Sequence, residues 1–152
     1  MSSLTTEARS ALPPATGAGE PRPALAPSSA LRSAGTESVV EATSRLFAHD
    51  CFCLTDLRLV GHPVVHASPA LADLTGYAVE ALTGRNLGFL LRNDTDQEAA
   101  EAARSAVESG RPVTVLVRAY REDGALFWCE QRHYPIQDGE GRTTHLLTLL
   151  RD

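Results

Sequence analysis

Residues 112–151 read PVTVLVRAYREDGALFWCEQRHYPIQDGEGRTTHLLTLLR. Three β-rich runs, Pro112–Arg121, Leu126–Ile136 and Thr143–Arg151, are joined by Glu122-Asp123-Gly124 and by Asp138-Gly139-Glu140-Gly141. Both joints carry tight-turn chemistry, so the three strands are predicted to run up, down and up as an antiparallel meander. Alternation assigns the faces. Val113, Val115, Val117, Ala119, Phe127, Cys129, Gln131, His133, Leu146, Thr148 and Leu150 face one way. Leu116, Tyr120, Trp128, Tyr134, Leu147 and Leu149 face the other.

Upstream, Cys51–Asp56 and Pro63–Ala67 form a predicted hairpin around Gly61. Ser68-Pro69 opens a helix that Gly76 stops, Val79–Thr83 forms a further helical turn, and Asp96–Ser109 is an Ala- and Glu-rich helix ended by Gly110. Asp94-Thr95-Asp96 is expected to cap that helix. Before the hairpin, Val39, Val40, Thr43, Leu46 and Phe47 recur at helical spacing within Glu37–His49. The order β-β-α-α-α-β-β-β predicts an α+β domain, a five-stranded antiparallel sheet with its helices on one face.

The rest of the chain bounds this domain. Its 152 residues are 43% apolar and 22% charged, the balance of a single domain with an appendage. All eight aromatic residues fall between Phe47 and Tyr134, whereas five of the nine prolines precede residue 36. Residues 1–35 are therefore expected to be a disordered Pro/Ala/Ser-rich tail, 36–49 a flanking helix and 50–152 the folded domain. A net charge of −5 without a Lys/Arg cluster excludes a nucleic-acid footprint and an anionic-membrane patch. No apolar stretch approaches the ~20 residues a membrane span needs. Cys51, Cys53 and Cys129 are expected as free thiols in a reducing cytoplasm.

Ala67-Ser68-Pro69-Ala70, Leu74-Thr75-Gly76-Tyr77, Gly84-Arg85-Asn86-Leu87-Gly88-Phe89-Leu90-Leu91, Tyr120-Arg121-Glu122-Asp123-Gly124, Phe127-Trp128 and Pro135-Ile136-Gln137-Asp138 together resemble the LOV (light, oxygen, voltage) branch of PAS domains. The resemblance implies the PAS/LOV fold over residues 50–152 and FMN as the family's cofactor, with a Cys that attacks the photoexcited flavin. Leu87 stands where that Cys is expected, and leucine has no nucleophilic atom. Of the family's polar flavin contacts, Asn86 at the ribityl chain and Arg104 at the phosphate are kept. Gly88 replaces the second phosphate Arg, Leu91 a ribityl Gln, Ala119 and Cys129 two ring Asn residues, and Leu150 the Gln of the last strand. Those losses together weaken flavin binding by roughly 4–9 kcal/mol.

The expectation is therefore no cofactor and a chamber partly filled by Leu87, Leu91 and Leu150, with a small apolar ligand or FMN photoreduced without an adduct as the alternatives. Relatives use the outer sheet face for dimerisation. Leu116, Tyr120, Trp128, Tyr134, Leu147 and Leu149 are thus an expected interface with a second copy or with another PAS/LOV protein, unless the flanking helix covers them. Relatives continue beyond this point into an output domain, so the chain ending at Asp152 is expected to act by binding. A zinc site from Cys51, Cys53, Cys129, His66, His133 and His145 has no ligand spacing to support it, and no triad or phosphate loop suggests an enzyme.

Overall fold

A computed structural model describes residues 38–152. The tail expected over residues 1–35, and the first residues of the flanking segment, lie outside the described residues. Helix α1 (Val39–Leu46) starts on a capping box: the Ser38 hydroxyl accepts from Glu41 N–H at 3.0 Å, while the Ser38 N–H donates to the Glu41 carboxylate at 3.4 Å. Strands β1 (Phe52–Asp56) and β2 (Val64–Ala67) follow, then α2 (Pro69–Thr75), α3 (Val79–Leu82), a 3-10 turn at Leu87–Leu91, and α4 (Glu98–Ser109). The chain closes with β3 (Val113–Tyr120), β4 (Leu126–Gln137) and β5 (Thr143–Arg151).

The five strands form one sheet in the order β2-β1-β5-β4-β3, with antiparallel pairing throughout. The glycines that end two of the helices are required by backbone conformation. Gly76 (φ +82°) ends α2 and Gly110 (φ +74°) ends α4, both in the left-handed region. Each edge strand has one residue whose outward backbone groups are bonded. Val64 N–H donates to Arg85 C=O and Gly84 N–H to Val64 C=O along β2, while the Gln97 carboxamide bonds both the N–H and the C=O of Arg118 on β3.

The inner sheet face packs against α2, α3, the 3-10 turn and α4 through Leu71, Leu82, Leu90, Leu91 and Ala100. Helix α1 lies on the opposite face, where Ala42 and Phe47 meet Phe52, Leu54, Ile136, Leu147 and Leu149. Burial follows from this. Strand β1 is covered on both sides and is buried at every residue, whereas β3 and the first half of β4 alternate. The alternating strands are those that α1 does not reach.

Two expectations are corrected here. Leu147, Leu149 and Tyr134 were expected at an interface unless the flanking helix covered them; α1 does cover Leu147 and Leu149, and Tyr134 packs against the same cluster, so these three leave the expected interface. Apolar residues on a central strand need cover on both faces, and the flanking helix supplies it. Asp94-Thr95-Asp96 does not cap α4. Gln97 is the N-cap residue and makes no side-chain cap, while Asp94 turns to β3 and bonds Arg118 at 2.7 and 2.8 Å and the Tyr120 hydroxyl at 2.9 Å. A bidentate guanidinium is a stronger partner for a carboxylate than a helix amide. Arg118 and the Tyr120 hydroxyl hold the Asp94 carboxyl down at about 2.

Candidate functional site

A cavity of about 280 Å³ lies between the inner sheet face, the 3-10 turn and α4. Leu57, Leu87, Leu91, Ala103, Val107, Val117 and Leu146 make its apolar wall, and Asn86, Gly88, Arg104, Gln131 and His133 also line it. Its size is close to the ~300 Å³ lower end of small-molecule sites. The chamber is therefore narrowed by Leu87 and Leu91 without being closed.

The sequence-derived positions separate into two groups. Asn86, Leu87, Gly88, Leu91 and Arg104 line the cavity. Ala119, Cys129 and Leu150 do not. They are buried in the packed core with Phe127, Val115 and Leu90, so small and apolar side chains at these positions have let the core close there. Cys129, expected to face the pocket, is fully buried in this core, and burial pushes its thiol up to about 11.

The Asn86 side chain is committed to backbone groups of Gly61, His62 and Gly88. Its Oδ1 accepts from Gly88 N–H at 2.8 Å, and its Nδ2 donates to Gly61 C=O at 2.9 Å and to His62 C=O at 3.4 Å. This side chain caps the 3-10 turn and ties it to the β1–β2 loop. Arg104 pairs with Glu101 at 2.5 Å on the exposed face of α4.

At the inner end of the cavity is a polar tier that sequence reasoning placed on the correct face without assigning it a role. His133 Nδ1 lies 2.9 Å from Thr148 Oγ1 and its Nε2 lies 3.1 Å from Gln131 Oε1. The Gln131 Oε1 can only accept, so His133 donates through Nε2 and takes the Thr148 hydroxyl proton at Nδ1. Desolvation by burial pushes the His133 imidazole down to about 4, which keeps it neutral. The signal was present in the sequence: Cys129, Gln131 and His133 are successive inward positions of one strand, and two of them are polar.

Cys53 is fully buried on β1, away from the cavity lining, and burial raises its thiol to about 12. Cys51 is likewise raised to about 12, first by burial. Neither is a thiolate near neutrality, and no cysteine lines the cavity. His145 and Asp56 lie 3.7 Å apart on the other sheet face, where the Arg58 guanidinium holds the Asp56 carboxyl at about 2. Among the described residues, no group of three or more His, Cys, Asp or Glu side chains could hold a metal, and no helix is long and apolar enough to cross a membrane. The arrangement can hold a compact guest and hydrogen-bond it, and no thiol is among its lining residues.

Comparison with known proteins follows the same outline. The PAS domain family model matches residues 49–152. A "Blue-light-activated histidine kinase" of Brucella canis is 32% identical over 95 residues, 62% of this chain but 19% of the kinase. The chain thus spans about a fifth of that relative's length. The solved structure described as "Flavin Analogue Sheds Light on Light-Oxygen-Voltage Domain Mechanism" is 34% identical, with a TM-score of 0.67 over 76% of this chain and 84% of its own. "Structure of an RNA-binding Light-Oxygen-Voltage Receptor" is 33% identical, with a TM-score of 0.69 over 79% of this chain and 35% of its own. Fold, motif order and these likenesses agree, and the chain belongs to the PAS domain family, in its LOV branch.

Proposed function

We propose that this domain is a LOV-type signalling and protein-interaction module that works without flavin photochemistry and without catalysis. The observation that carries the reading is that no cysteine lines the cavity, whose wall has Leu87 where the family's reactive thiol is expected. Adduct chemistry needs a sulfur against the flavin ring, and a leucine methyl cannot substitute for it.

The residues present do not fit FMN. Asn86, a retained ribityl position, spends its carboxamide on Gly61, His62 and Gly88. The positions matching the ring contacts, Ala119, Cys129 and Leu150, are packed into the core. Arg104 alone leaves a phosphate with one guanidinium, itself paired to Glu101.

Interaction is assigned to the part of the outer face that α1 leaves open. Trp128 is 50% and Leu126 48% exposed there, with Leu116 and Tyr120 half-buried beside them. Arg118 lies over the Trp128 ring at 5.8 Å, and Glu130 bridges Arg132 and Arg151. An exposed aromatic anchor within a charged rim suits a reversible contact with a second copy or another PAS domain. Purified protein is expected to be colourless and to dimerise, and Trp128→Arg to give a monomer by light scattering. A yellow preparation with stoichiometric FMN, or a monomer unaffected by the substitution, refutes the corresponding half of the reading.

A further inference from the structure

We infer that the cavity is a site for a compact, uncharged, mainly apolar ligand that presents a carbonyl or equivalent acceptor to the Gln131 carboxamide. This deepens the flavin-free reading above and rests on it. The argument is one of hydrogen-bond accounting in a confined space. Gln131 is 7% exposed and lines the cavity. Its Oε1 accepts from His133, and its Nε2 has one long contact, 3.8 Å, to Cys129 Sγ. An amide nitrogen carries two protons, so one N–H on Nε2 has no acceptor among the described residues. A donor left unpaired at that depth is unfavourable, and a ligand acceptor placed against it recovers the loss.

The surroundings define the rest of the ligand. His133 lies between Thr148 and the Gln131 oxygen, which leaves the Gln131 nitrogen on the side of Cys129 Sγ. The one group offered inward is therefore a donor, and it selects an acceptor. Arg104 lines the cavity from α4 but is paired to Glu101, and Glu108 lines it from the same helix. A formally charged guest would lose its hydration with no buried partner of opposite sign. The wall of Leu57, Leu87, Leu91, Val107, Val117 and Leu146 takes an apolar body, and about 280 Å³ restricts it to one or two fused rings.

The test uses 1-tetralone and 1-methylidenetetralin, which share a shape but differ by carbonyl against methylene. Affinities for the full chain and for Gln131→Leu are measured by titration, and the ratio of the two ligands is compared between proteins. The ratio should favour the ketone about fivefold more in the wild type than in the variant. Should Gln131→Leu not fold, the wild-type Gln131 side-chain amide resonances provide the readout, shifted by the ketone and not by the hydrocarbon. Equal ratios in both proteins, unshifted amide resonances, or no binding of either compound overturns the inference. FMN is titrated in parallel: stoichiometric uptake overturns the flavin-free reading itself, whereas equal ratios without flavin uptake overturn only the acceptor site.

Discussion

His133 should make this domain sensitive to acid in a window set by its burial. In the unfolded chain its imidazole titrates near 6.5, and in the folded chain near 4, because desolvation disfavours the cation. The sign follows from proton binding. Between these values the unfolded state holds the proton and the native state does not, so lowering the pH favours unfolding, with the effect complete once the pH falls below the folded value. With that shift, falling from about pH 7.5 to about pH 5 removes about 2 kcal/mol of stability. For a domain of this size that is about 10 °C in Tm.

The comparison that isolates this effect is His133→Gln, whose amide retains a donor for Gln131 Oε1 and an acceptor for Thr148 but does not titrate. Its fixed packing penalty is the same at both pH values and drops out, as do Asp56, His145, His62, Arg104 and Glu108, which both proteins share. Thermal unfolding followed by circular dichroism at the two pH values should show the wild type losing about 10 °C more than the variant. Equal losses in the two proteins would refute the assignment of a neutral, desolvated imidazole to the base of the cavity.

Asn86→Ala removes the links to Gly61, His62 and Gly88 and should cost about 1–2 kcal/mol in urea denaturation, with faster amide exchange over residues 57–62; unchanged exchange would contradict the tether. Ser38→Ala breaks the capping box and should destabilise α1 by about 1 kcal/mol, read as increased exchange in residues 39–46 while the strands β3 and β4 stay protected. Leu87→Cys, mixed with FMN and illuminated with blue light, should leave the visible flavin band unbleached, because the thiol alone does not rebuild a chamber closed at Ala119, Cys129 and Leu150; bleaching with thermal recovery would show that the flavin site survives.

The strands, turns and helix stops were legible in the sequence because each is a local matter. Alternation in Val113–Tyr120, Asp-Gly at the hairpins and glycine at Gly76 and Gly110 act within a few residues. That Leu87 stands where the LOV motif has its cysteine could be read from the motif around it alone. Neighbours distant in sequence could not be read in the same way. Asp94 had a helix N-terminus close by and went instead to Arg118, 24 residues on, because a bidentate ion pair outweighs a single amide. Leu147 and Leu149 alternated onto different faces from Leu146 and Leu150, yet all four are buried, because α1 crosses one face and the other helices cover the opposite one.

The sequence by itself determined the order of elements, the inward and outward faces of the sheet and the absence of sulfur at Leu87, since these depend on chain periodicity and residue identity. Tertiary structure alone decided that Ala119, Cys129 and Leu150 closed into core while the cavity beside Leu87 stayed open, and that His133, Gln131 and Thr148 spend their polar groups on one another. Whether a volume fills, and which donor is left over, depends on the packing and hydrogen bonding of several elements at once, and no single stretch of chain contains that information.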